Sequence, residues 1–109
     1  AVGMPRAMEL LMSNRDLPAS EAAAMGLVSR LVPADGLVEE AMALARKLAA
    51  GPAMSFAMMK QLGRRSYDSS LDAFLEAEAA AQCLAFGSQD FAEGVAAFLE
   101  KRKPAFTGG

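Results

Sequence analysis

The 109 residues contain no histidine and no tryptophan, a single cysteine at Cys83 and a single tyrosine at Tyr67. Without histidine the commonest metal ligand and near-neutral proton shuttle is missing. One cysteine excludes an internal disulfide and suits a reducing compartment. Its helical surroundings make Cys83 a small buried hydrophobe rather than a nucleophile. No apolar run approaches the ~20 residues needed to span a bilayer. The opening AVGMPRAMELL lacks the basic start and long apolar stretch of a signal peptide. A net charge of −2 gives no bulk attraction to nucleic acid. These absences predict a chain with no metal, no nucleic-acid partner and no membrane anchor, located in the cytoplasm.

What is present is apolar. Hydrophobic residues make up 53% of the chain. Many are alanines, which pack helices closely but offer little area each. A self-contained domain of this size buries roughly two-thirds of its unfolded surface. With six Phe as the main large anchors, the pattern predicts apolar surface that meets either further polypeptide or another subunit.

In chain order the periodicity predicts six helices and one extended segment. Pro5 suits the first turn of a helix that ends near Asn14, with Ala7, Leu10 and Leu11 on one face. A short helix starts at Pro18–Glu21 and ends at Met25-Gly26, where glycine takes the left-handed position. Leu27–Val32 reads as a short extended segment closed by Pro33. Asp35 is the candidate cap of a third helix over 36–50, with Leu37, Ala41, Leu44, Ala45 and Leu48 on its buried side. Gly51-Pro52 stops it, and a fourth helix runs from Ala53 to about Tyr67. Ser69 and Asp72 have capping-box spacing before a fifth helix over 71–86. Gly87-Ser88 separates it from the last.

That last helix, spanning Ser88 to Pro104, carries both start and stop signals. Ser88 is an N-cap, and Asp90 and Glu93 sit near the positive end of the helix dipole. Lys101, Arg102 and Lys103 sit near the other end, and Pro104 forbids continuation. Phe91, Val95, Phe98 and Leu99 form one apolar stripe. The tail, Ala105 to Gly109, is expected to fray.

The wording D-x-x-E-G-x-x-A-F-x-E-K-R-x-P-x-F from Asp90 to Phe106 resembles the C-terminal signature of the crotonase superfamily, the enoyl-CoA hydratases and isomerases. The likeness continues elsewhere, in order along the chain. It includes Val2-Gly3 with Arg6–Leu11, Glu21-Ala22 with Gly26–Ser29, Val32-Pro33, Gly51-Pro52 with Lys60, and Leu71, Glu76, Glu78 and Gln82.

The resemblance implies a mainly α chain, the C-terminal helical region of a crotonase-like α/β fold whose ββα spiral would lie before residue 1. Residues 1–34 would end that core. Residues 35–109 would form a helical trimerisation and lid region. The family's oxyanion-hole amides and two acid/base glutamates have no counterparts here, so no catalytic residue is assigned. Glu21, Glu76, Glu78, Glu93 and Glu100 are not those groups. The implied parent is an enoyl-CoA hydratase or isomerase acting on acyl-CoA thioesters without a further cofactor. It would be a trimer or dimer of trimers, and this chain alone would be inactive. The implied substrate contact is to the CoA of a neighbouring subunit, with Phe98 by the adenine, Lys101 near the phosphates, and Arg102 substituting or assisting.

Blander readings stand beside these. Cations at a helix C-terminus are expected for dipole reasons alone, and periodicity favours core packing for Phe98. Glu76 and Glu78 are two apart and cannot share a helix face, and Glu39-Glu40 is a solvated pair. Arg64-Arg65 is a helix-end charge, and Met54, Met58 and Met59 suit adaptable packing. Asn14-Arg15-Asp16 occupies a connector that could line a pocket rim. Two rival functions follow: a non-catalytic helical oligomerisation module, and a crotonase-family enzyme of another reaction type, since one fold hosts many chemistries.

Overall fold

The computed structural model describes residues 2–109 and is built from helices and connectors. The chain divides into two units, one ending at Met42 and the other Ala43–Gly109.

In the first unit, α1 is Met4–Ser13 and α2 is Ala19–Ala24. Proline stands in the first turn of α1, and Asn14 ends the helix in a left-handed conformation, φ 47°. Asparagine tolerates that region better than most residues. At the end of α2 the N–H of Gly26 donates to Ala23 O at 3.0 Å and that of Leu27 to Ala22 O at 2.9 Å. This pair of bonds is a Schellman closure, and Gly26 supplies its positive φ, 75°. Arg15 ties the two helices together. Its Nε donates to Glu9 Oε1 at 2.9 Å and its Nη2 to Glu21 Oε1 at 2.6 Å. The connector residue is therefore an ion-pair bridge between α1 and α2. The bonds to Glu21 and then Glu9 hold the guanidinium above its usual range, and Arg15 holds the Glu21 carboxyl below its own.

Leu27–Val32 does not form a strand; among the described residues no ladder exists for it to join. A lone extended segment has no partner for its N–H and C=O groups. Asp35 does not cap α3, Leu37–Ala49. It lies inside a single 3₁₀ turn, Ala34–Gly36, closed by the Gly36 N–H on Pro33 O at 3.1 Å. A capping residue must itself be outside the helical region. The side of α3 expected to be buried is exposed, including Leu37, Leu44 and Leu48.

The second unit holds α4, Ala53–Arg65, α5, Leu71–Phe86, and α6, Gln89–Leu99. α5 packs against both α4 and α6. The N-cap of α5 is Ser70, not Ser69: its extended backbone lets Oγ accept from Ala73 N at 3.3 Å. Cys83 is exposed rather than buried, because the outer face of α5 is uncovered. Among the described residues the buried hydrophobes are two alanines, Ala22 in the first unit and Ala97 in the second. Large side chains such as Val38, Leu71 and Leu84 remain open to solvent. Among the described residues no helix is long and apolar enough to cross a membrane.

Candidate functional site

Polar contacts concentrate on α6 and the residues after it. Ser88 opens the helix as its sequence promised, with Oγ accepting from Phe91 N at 3.0 Å and donating to Ala85 O at 2.7 Å. Phe91 stacks obliquely on Phe86, with ring centroids 4.9 Å apart. The helix does not run to Pro104. It stops at Leu99, and Lys101 takes φ 55°. The N–H of Lys101 donates to Phe98 O at 3.3 Å and that of Arg102 to Ala97 O at 3.0 Å. This is the same closure that ends α2, with lysine in the place glycine usually holds. The three basic residues thus lie on and beyond the turn, not in the last helical turn.

The tail is not frayed. Ala105–Gly109 folds back along α6 as a strap. Asp90, only 4% exposed, accepts from Thr107 N at 2.7 Å and from Gly108 N at 3.0 Å. Its own N–H donates to Gly109 O at 2.9 Å. A buried carboxylate meets its desolvation cost through such charge-assisted bonds. The strap also seats Phe106 beside Gly94.

A second carboxylate works at the other end of the strap. Glu93 receives a two-pronged pair from Arg102, Nη1 to Oε1 at 2.6 Å and Nη2 to Oε2 at 2.9 Å, and also the N–H of Ala105 at 2.7 Å. Arg102 Nε reaches Glu100 Oε2 at 2.6 Å. The Arg102 bonds, then that of Ala105, pull the Glu93 carboxyl down from 4.5 to about 2, and Glu93 then Glu100 hold Arg102 above its usual range.

An open apolar trough of about 350 Å³ runs beside this construction, lined by Phe91, Val95, Phe98, Leu99 and Phe106, with Asp90 among its few polar residues. A smaller groove of about 280 Å³ lies between α4 and α5, where Met58 and Met59 face Gln82 and Phe86.

Of the residues singled out by sequence, Phe98, Lys101 and Arg102 fall on one helix end. Phe98 is 82% exposed and packs in no core. Among the described residues Lys101 makes no ion pair, while Arg102 makes two. Sequence reasoning missed Asp90 and Glu93 as receivers of the strap. It placed them as dipole-compensating charges, and the signal it passed over was Phe106, a large apolar residue in a segment otherwise short of reasons to dock.

Comparison with known proteins gives a consistent result. The enoyl-CoA hydratase/isomerase family profile matches residues 1–109. A Mycobacterium bovis protein, "Probable enoyl-CoA hydratase echA8", is 43% identical over 107 residues, covering 98% of this chain and 42% of its own length. The 1,2-epoxyphenylacetyl-CoA isomerase of Escherichia coli is 39% identical over 106 residues, covering 97% of this chain and 40% of its own. A crystal structure of an enoyl-CoA hydratase subunit from Geobacillus kaustophilus superposes with a TM-score of 0.92 at 39% identity, covering 99% of this chain and 42% of that one. The chain therefore spans about two-fifths of the length of these relatives. By sequence along its whole length and by the arrangement of its helices, the chain belongs to the enoyl-CoA hydratase/isomerase family, whose fold is that of the crotonases.

Proposed function

We propose that this chain is the C-terminal helical region of an enoyl-CoA hydratase or isomerase. In that reading residues 1–34 close the catalytic core and residues 35–109 form the lid and assembly region. The reaction adds water to an enoyl-CoA or shifts its double bond. Backbone amides of the core stabilise charge on the thioester oxygen, and core carboxylates move the protons. Neither group belongs to this chain, so its own contribution is assembly, cover for the acyl chain, and contact with the CoA of a neighbouring subunit. The enzyme is a cytoplasmic trimer or dimer of trimers that needs no metal or redox cofactor.

The observation that carries the CoA contact is the end of α6. Phe98 offers an open aromatic face, 82% exposed, three residues before a lysine that has no carboxylate partner among the described residues. An aromatic face stacks on a purine, and an ammonium group pairs with phosphate. Lys101→Glu in the full-length enzyme should raise the KM for enoyl-CoA with no change in assembly mass. Unaltered KM would refute the contact. The chain by itself should not turn over enoyl-CoA, and robust loss of the double-bond absorbance on mixing would overturn the division of labour.

A second reading is supported by the uncovered helix faces, with Val38 75%, Leu71 72% and Leu84 66% exposed. In it the chain is an oligomerisation module without nucleotide contact. The same Lys101→Glu variant discriminates, because a changed mass with unaltered CoA affinity favours the module.

A further inference from the structure

Three cations follow one another at the end of α6, and the structure treats them differently. Every nitrogen of the Arg102 guanidinium has an acceptor: both terminal nitrogens reach Glu93 and the inner one reaches Glu100, at 2.6–2.9 Å. Nη1 also donates to Lys103 O at 3.2 Å. A phosphate could recruit Arg102 only by breaking a two-pronged pair, the strongest geometry available to arginine. Lys101 and Lys103 have no carboxylate within ion-pair distance among the described residues.

Glu93 also fixes the segment that directly follows Lys101. It accepts from the side chain of residue 102 and the backbone of residue 105, so the chain immediately after Lys101 is held to one point on the helix. Between the end of α6 and that held segment, Lys101 has the left-handed φ of 55°, a conformation that L residues adopt only when their surroundings insist. We propose that Glu93 and Arg102 are positioning residues: a neutralised clamp that presents Lys101 as the phosphate-facing cation of the turn. The inference rests on the CoA reading of Phe98 and Lys101 and adds to it which cation is held back, which is offered, and what holds it. Pre-setting the turn lowers the ordering cost of binding.

The test compares full-length enzyme variants on two thioesters of one enoyl group, CoA and pantetheine, the second lacking the nucleotide. Lys101→Ala should raise KM for the CoA thioester about tenfold, the scale of one charge-assisted bond. Glu93→Gln keeps an acceptor for Ala105 but loses the charge pair. It should raise KM for the CoA thioester in the same way, with kcat held and the pantetheine thioester little affected. The double variant should be no worse than Lys101→Ala alone. Arg102→Lys, which cannot fork both oxygens, provides the same comparison should Glu93→Gln fail to fold. Equal losses on both thioesters would reduce the clamp to a purely structural role and overturn the proposal. An effect of Lys101→Ala with none from either clamp variant overturns the positioning alone. No effect of Lys101→Ala overturns the CoA reading beneath it.

Discussion

Replacing Asp90 by asparagine removes one atom's worth of charge from the best-buried polar group in the chain, and its effect can be worked out in advance. Asp90 offers one oxygen to Thr107 N–H and the other to Gly108 N–H. Asparagine keeps one acceptor and turns an NH₂ group towards the second donor. A hydrogen bond to a charged group contributes about 1.5–3 kcal/mol. The further penalty of a stranded donor does not apply in full, because Thr107 and Gly108 are themselves exposed and rehydrate when the strap lifts. Docking of the strap should therefore weaken by about 2 kcal/mol, or about thirtyfold in its opening equilibrium. Amide hydrogen exchange reads this directly, since local opening sets protection at Thr107 and Gly108. In the full-length protein those two amides should lose about thirtyfold in protection while those of α1 keep theirs. Unchanged protection at both would refute the account of Asp90 as the receiver of the strap. A loss shared equally by α1 would show that the substitution acts on global stability instead.

Three further substitutions test the turns and clamps. Glu93 titrates at about 2 in the fold against 4.5 ordinarily, so its contribution is complete above pH 4.5 and disappears as pH falls through about 2. The Ala105 amide resonance should follow that titration in the native chain and lose it in Glu93→Gln; a midpoint near 4.5 would contradict the clamp. Lys101→Gly should relieve the left-handed backbone and stabilise the protein by up to about 1 kcal/mol, part of the gain being offset by glycine's freedom when unfolded. A lowered Tm would show that φ 55° carries no strain. Gly26→Ala meets nothing within 4 Å of its new methyl, so its cost is backbone alone, about 1–2 kcal/mol at φ 75°; a neutral result in urea unfolding would contradict it.

What the sequence made legible was local and periodic. The bounds of α5, the cap at Ser88, the left-handed glycine at 26 and the end of α1 at Asn14 all follow from signals within four residues of one another. What escaped had a longer or subtler cause. The strap joins residues 17 and 18 apart through backbone donors, which leave no trace in side-chain pattern. The early stop of α6 depends on a lysine accepting a glycine-like conformation ahead of a visible proline, so the proline attracted the attention. Asp35 lost its capping role because Pro33 started a tighter turn two residues sooner. The family and the position of Phe98, Lys101 and Arg102 on one helix end were readable from the order of short motifs. The division of labour between Lys101 and Arg102 was not, because it depends on a carboxylate nine residues back.

Because Asp90 recognises amide hydrogens rather than side chains, the segment it captures is shielded from much of the mutational pressure that the interaction itself experiences. Thr107 can drift to almost any residue without disturbing the bond to its N–H, whereas Gly108, at φ 90°, cannot accept a side chain without backbone strain. Substitution tolerance in this region should therefore alternate sharply between neighbours, permissive at one position and strict at the next. A mutational scan would show that alternation as a pattern set by backbone geometry.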